Sequence, residues 1–189
     1  MISKKEIMTV AGQVSLIPNI VDKDYVLGWL LAAISSNSAL FQSWAFKGGT
    51  CLKKCYFETY RFSEDLDFTL KDENHLQEEF LIDQFTSIAG WVYEEAGIEI
   101  LVDRLKFDIY MNSRGHRSCQ GRVYHDSYFA QGKRDIPKIR LDLSADEVLV
   151  LPTSRQTVFH LCPLSAVLGI VVFKSLPKND SFCVYHGAD

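Results

Sequence analysis

The sequence lacks most of the signals that mark the commoner enzyme and binding classes. Its five histidines form no His-x-x-x-His, and no serine, histidine and acid fall into a pattern that supports a hydrolytic triad. No Cys-x-x-Cys occurs, and the cysteine count is odd: Cys51, Cys55, Cys119, Cys162 and Cys183. Cys51 and Cys55 share a face of an expected helix, but no histidine or further cysteine nearby completes a zinc set. Reduced thiols in a cytosolic protein are the expectation. No apolar run is long enough to span a bilayer. Lys4, Lys5 and Glu6 are followed by only a short mixed run, unlike a signal peptide. A cytoplasmic protein with no membrane partner is therefore expected. With a net charge of −4 the chain also lacks the basic excess of a protein coated for non-specific nucleic-acid binding, which leaves room for a local basic patch.

What is present suits an ordinary globular chain. Its 189 residues are 47% apolar and 23% charged, enough for a real core in one domain, or one domain and a small lobe. The informative stretch runs from Phe46 to Leu70. Lys47-Gly48-Gly49-Thr50 leaves an apolar strand and opens a helix, and Arg61-Phe62-Ser63-Glu64-Asp65-Leu66-Asp67-Phe68 follows. Glycines at a strand-to-helix turn let the backbone approach a ligand closely. The unbonded amides at the helix start favour an anion such as phosphate, and Thr50 adds a hydroxyl. Residues i and i+2 of a strand share a face, so Asp65 and Asp67 aim together. Two carboxylates about 4 Å apart repel by roughly 4 kcal/mol at a typical effective dielectric. A cation between them relieves this, and magnesium suits oxygen ligands shared with substrate phosphates. Each half of the stretch taken alone has a bland explanation, a turn or a solvated strand edge. In this order they point to metal-assisted phosphoryl transfer.

These residues resemble the AbiEii/AbiGii toxin family, nucleotidyltransferases of the DNA polymerase β-like superfamily. The likeness covers the Arg-x-Ser-x-Asp-Leu-Asp-Phe phrase as well as the Gly-Gly turn, and extends from about residue 1 to about residue 160. It implies an α/β (α+β) nucleotidyltransferase fold, a mixed sheet flanked by helices, over residues 1–160 with N-terminal helices. It implies magnesium or manganese at Asp65 and Asp67, and nucleotide contacts from Lys47, Gly48, Gly49, Thr50, Arg61 and Ser63.

Around that stretch, Ser3 and Glu6 are placed to form a capping box for a helix with the apolar stripe Ile7, Met8, Val10, Ala11 and Val14. Pro18-Asn19 breaks the pattern, and Asp22 reads as the cap of a second helix. Lys23 lies in a segment similar to the family's N-terminal helix, although a solvated lysine explains it as well. A loop is expected at Ser35–Ser38 and a strand fed by Leu40–Phe46. Thr50–Phe57 reads as a helix on which Lys53 and Lys54 are expected to be solvated, with a contact from one of them to a nucleotide phosphate as the alternative. His75–Ala96 is helical by apolar spacing, with its aromatics in the core and Gly97 as its stop. Ile98–Val102, Arg104–Met111, Gly121–Phe129, Ile136–Leu143 and Val148–Leu151 read as strands. The basic segment 112–120, with Arg122, Lys133 and Arg134, is either an RNA-backbone contact or a solvated hairpin loop.

Pro137 to Leu143 alternates polar and apolar, which puts Lys138, Arg140 and Asp142 on one face. By resemblance Asp142 is the third acid of the superfamily, a metal ligand or a general base toward an acceptor hydroxyl. Lys138 or Arg140 can pair with the carboxylates or a phosphate. Residues 161–189 depart from the family pattern. Lys174 has no family context, and no Arg-Asp-x-x-Asp-like segment is found, so this part reads as a truncated or divergent C-terminal tail. The expected function is transfer of a nucleoside monophosphate from an NTP to an acceptor hydroxyl, RNA or a tRNA end by resemblance. The biological setting implied is a toxin of a toxin–antitoxin or phage-defence pair with a cognate antitoxin protein. The alternatives are a catalytically inactive nucleotide- or partner-binding module, favoured by the tail, and a small-molecule nucleotidyltransferase.

Overall fold

The computed structural model describes residues 2–57, 63–130, 136–145, 153–162 and 172–175, the last as main chain. The chain begins as its local signals require. Ser3 Oγ accepts from the Glu6 amide, and the Glu6 carboxylate accepts from the Ser3 N–H at 2.8 Å, so a complete capping box starts α1 (Lys4–Gln13). Ile7 and Ala11 carry its buried side, while Met8 and Val14 of the expected stripe are exposed.

α2 (Pro18–Ser36) begins earlier than expected. Pro18 occupies its first turn, where a proline has no intrahelical N–H to lose, and Asp22 lies inside the helix rather than at its cap. The helix is apolar around most of its circumference, as befits an element enclosed on all sides. Leu27, Trp29, Leu30, Leu31 and Ile34 are all essentially inaccessible. The strand expected from Leu40 is also corrected. Asn37 caps α3 (Ser38–Ser43) by accepting from the Ala39 and Leu40 amides, and β1 is confined to Trp44–Lys47.

α4 (Gly48–Cys55) follows β1 directly, and β2 (Asp65–Leu70) returns antiparallel to β1. α5 (Glu78–Ala96) buries Leu81, Phe85, Ile88, Ala89 and Val92 and stops at Gly97, whose φ of 66° is left-handed. Tyr93 is exposed, unlike the other aromatics expected in its core stripe. Ile98–Val102 is not a strand: Ile100 makes a single bridge to His125, and a short 3-10 turn follows. β3 (Lys106–Met111), β4 (Arg117–Tyr124) and β5 (Lys138–Ser144) complete the sheet's first half. β4 therefore takes in Arg117 to Gln120 of the basic segment 112–120. β6 (Ser154–Thr157) and β7 (Val172–Ser175) extend the other edge. Val148–Leu151, Lys133 and Arg134 lie outside the described residues.

The sheet order is β3-β4-β5-β2-β1-β7-β6, with β2/β5 and β1/β7 parallel and the other pairs antiparallel. This is the mixed sheet flanked by helices that was expected. Alternation separates its two faces. Trp44, Phe46, Leu66, Phe68, Phe107, Cys119, Val123, Ile139, Leu141 and Leu143 are buried in the core they share with α2 and α5. Phe68 sits 5.3 Å from both Trp44 and Phe46, ring centre to ring centre. The polar partners of those positions line the opposite face. Among the described residues no helix is long and apolar enough to cross a membrane. Cys51, Cys55, Cys119 and Cys162 are buried free thiols, and burial pushes Cys119 up to about 12 and Cys162 to about 11.

Two histidines with shielded ring nitrogens give the fold a pH dependence. His125 is fully buried, its Nδ1 bonded to the Asp126 carbonyl at 2.8 Å and its Nε2 without a partner among the described residues. Burial lowers its pKa. His160 has both ring nitrogens shielded and, among the described residues, unpartnered, and burial, then the Lys54 charge, lowers it to about 3. Both folded values lie below the unfolded one, so below about 6.5 the unfolded chain binds the protons. Their contribution is complete above that pH and is lost as pH falls. Urea midpoints should therefore decline between pH 7 and pH 5, with at most about 1.4 kcal/mol per pH unit from each ring. A His160→Leu variant should show the shallower decline.

Candidate active site

Backbone geometry at Gly48 sets the site. Gly48 has φ +74°, a left-handed conformation that other residues rarely adopt. A Cβ built there would lie 2.0 Å from Asp67 Oδ2, so the Asp67 carboxylate rests directly against the bend. A Cβ on Gly49 would stand 3.4 Å from Ser63 Oγ, which puts Ser63 at the same turn. Thr50 is buried, and its hydroxyl donates to the Asp65 carbonyl at 2.5 Å, tying the first turn of α4 to the start of β2. In this structure that hydroxyl serves the main chain of the Asp65 strand. Lys47 Nζ donates to Ser144 Oγ at 2.9 Å. Arg61 lies outside the described residues.

Strand register brings in the third acid. Asp67 pairs with Asp142 across the parallel β2/β5 ladder, and Asp65 lies two residues earlier on the same face. Gln120 pairs with Asp142 on its other side, and its Nε2 stands 3.5 Å from Asp142 Oδ1. Asp108, Gln120, Asp142, Asp67 and Lys47 thus form one row across five strands. All three acids are half-buried. Asp67 is also among the charges that raise the Cys51 thiol, after its bond to Cys55 and its burial.

The donor set is oxygen-only, which is the chemistry magnesium or manganese prefers. Among the described residues no three acids, histidines or cysteines draw together into a metal cluster of their own. An ion here would be shared between one or two carboxylates and the oxygens of a bound phosphate, the usual arrangement for magnesium.

The family described as the nucleotidyl transferase AbiEii toxin of a type IV toxin–antitoxin system matches residues 29–172, most of the chain. This chain belongs to that family. No curated protein and no solved structure matches it. The AbiEii match includes the glycine bend, Asp65, Asp67 and Asp142, and membership implies an antitoxin as partner.

Several residues around the site of this AbiEii-family protein escaped the sequence reading. Lys54 was expected in solvent but is 3% exposed and pairs with Asp24, itself 9% exposed, at 2.9 Å. It also donates to the Phe159 carbonyl at 3.3 Å. Nothing local signals this, because Asp24 lies on another helix. Lys23 pairs with Glu64, the residue before Asp65. Gln120 could have been found from the period-two pattern Ser118, Gln120, Arg122, Tyr124, which alternates with buried Cys119, Gly121 and Val123.

Gly48→Ala tests the bend. The left-handed backbone alone costs an L-residue about 1–2 kcal/mol, and the new methyl must also displace the Asp67 carboxylate. The variant should lose at least that much stability in denaturant titrations. In an Asp67→Ala background the 2.0 Å clash with the carboxylate is gone and only the Cβ at 3.0 Å remains, so the two substitutions should be non-additive.

Proposed function

We propose that this chain transfers a nucleoside monophosphate from an NTP to an acceptor hydroxyl on RNA, with a tRNA end as the acceptor class. Asp65 and Asp67 would hold magnesium or manganese together with oxygens of the triphosphate, with Asp142 beside Asp67 in register. When bound, the ion neutralises charge developing on the triphosphate oxygens. The amides of Gly48 and Gly49, at the start of α4, face the phosphates, and Lys47, Ser63 and Arg61 complete the nucleotide's surroundings. The acceptor oxygen attacks the α-phosphorus, the bond to the β-phosphate oxygen breaks, and pyrophosphate leaves. Asp142 takes the hydroxyl proton as general base. The proposed setting is the cytoplasm, where the antitoxin restrains the activity. The observation that carries this reading is the contact of Asp67 with the Gly48 bend, in register with Asp142.

One observation favours a second reading, an inactive nucleotide- or partner-binding module: among the described residues no three acids, histidines or cysteines draw together into a metal cluster. The deciding experiment incubates the protein with each labelled NTP, manganese and total RNA, beside Asp65→Ala. Label on RNA from the wild type alone supports the transferase. Calorimetric NTP binding without transfer supports the module. Label confined to small acceptors moves the assignment to a small-molecule nucleotidyltransferase.

A further inference from the structure

The polar face of the sheet carries a second row beside the acidic one. Lys106, Arg122 and Arg140 are consecutive cross-strand partners on β3, β4 and β5, and Arg140 pairs with Asp65 on β2. Lys138 shares this face two residues before Arg140, 5.5 Å from the centre of the Tyr124 ring. Asp108 is the one acid on this face of β3 and β4, and two cations share it: Lys106 at 3.1 Å and Arg122 at 2.6 Å. Lys106 and Arg140 are exposed, as is Tyr110 further along β3. A chain with a net charge of −4 thus concentrates four cations in a strip that ends at its paired carboxylates.

The strip crosses β3, β4 and β5, on the side of β2 away from β1 and the Gly48 bend where the donor's phosphates are placed. Lys106 is three strand spacings from Asp65, about 14 Å at about 4.8 Å each. That distance matches about four stacked nucleotides at ~3.4 Å apiece. We infer that Lys106, Arg122, Arg140 and Lys138 form a phosphate track that leads the single-stranded end of the RNA acceptor across β3, β4 and β5 to Asp65. The inference rests on the proposed RNA acceptor and adds to it the face and the direction of approach. Phosphate contacts of this kind position a strand without reading its bases. Tyr110 and Tyr124 offer rings on which bases can stack.

The test is binding, independent of turnover. A fluorescent single-stranded RNA oligonucleotide is titrated by anisotropy from 50 to 200 mM KCl, with wild type and a Lys106→Gln/Lys138→Gln/Arg140→Gln variant. Three lost phosphate contacts at about 0.7 each should flatten the slope of log K against log salt by about 2, and affinity at 50 mM should fall at least about tenfold. Lys5→Gln/Lys71→Gln, at exposed lysines elsewhere, should change neither. Equal slopes for wild type and the triple variant overturn the track. So does unchanged RNA affinity with loss of antitoxin co-purification, which assigns the face to the protein partner. Calorimetry with manganese and NTP on the same proteins keeps the readings apart: retained nucleotide binding leaves the proposed function standing when the track fails.

Discussion

Asp67→Ala is expected to reduce nucleotidyl transfer on the order of 10³-fold or more. The several kilocalories that metal-held charge stabilisation supplies correspond to about that factor at 1.36 kcal/mol per decade. Asp67 occupies the position where the features of the site converge. It rests against Gly48, pairs in register with Asp142, and lies two residues from Asp65 on the same face. Removing its carboxylate should also weaken manganese binding in the presence of NTP, measured by calorimetry, while the urea midpoint falls little because the side chain is half-buried. Asp67→Asn keeps the shape and loses the charge, and should be nearly as inactive. A fully active Asp67→Asn would remove the charge argument and with it the metal assignment.

The second large effect is on folding. Breaking the Asp24–Lys54 pair from either side should cost about 3–5 kcal/mol, since the remaining partner is left as an uncompensated buried charge. Asp24→Asn and Lys54→Met are the single variants, measured by urea denaturation. The double variant Asp24→Leu/Lys54→Met should recover most of that loss, because well-packed apolar substitutes often match a buried pair. A small penalty in both singles would show that the pair is solvated in practice. The pair joins α2 to α4, so a destabilised single variant should also loosen the bend at the start of α4 and bind nucleotide more weakly.

Legibility in the sequence followed the range of the interactions. The capping box of α1 is a four-residue signal and was read completely. The Gly97 stop and the polar–apolar alternation of β5 are equally local, and both are found. Pro18 was misread because a proline looks alike whether it breaks a helix or begins one. The run into β1 was misread because a short apolar stretch fits a strand and a buried helix turn equally well. Lys54 was misread because its partner lies 30 residues away on α2. The acidic stretch was visible as residue types, but the row that sets Asp142 beside Asp67 and Gln120 depends on strand register, which no single strand's sequence specifies.

The parallel pairing of β2 with β5 has an evolutionary corollary. Inserting or deleting a single residue between Ile139 and Asp142 would rotate the strand's alternation by half a period, turning Leu141 or Leu143 outward and the aspartate into the oil of the core. Changes of length in this half of the sheet can therefore accumulate only in its connections, and the composition of β5 is held by its hydrophobic underside as firmly as by the chemistry above it.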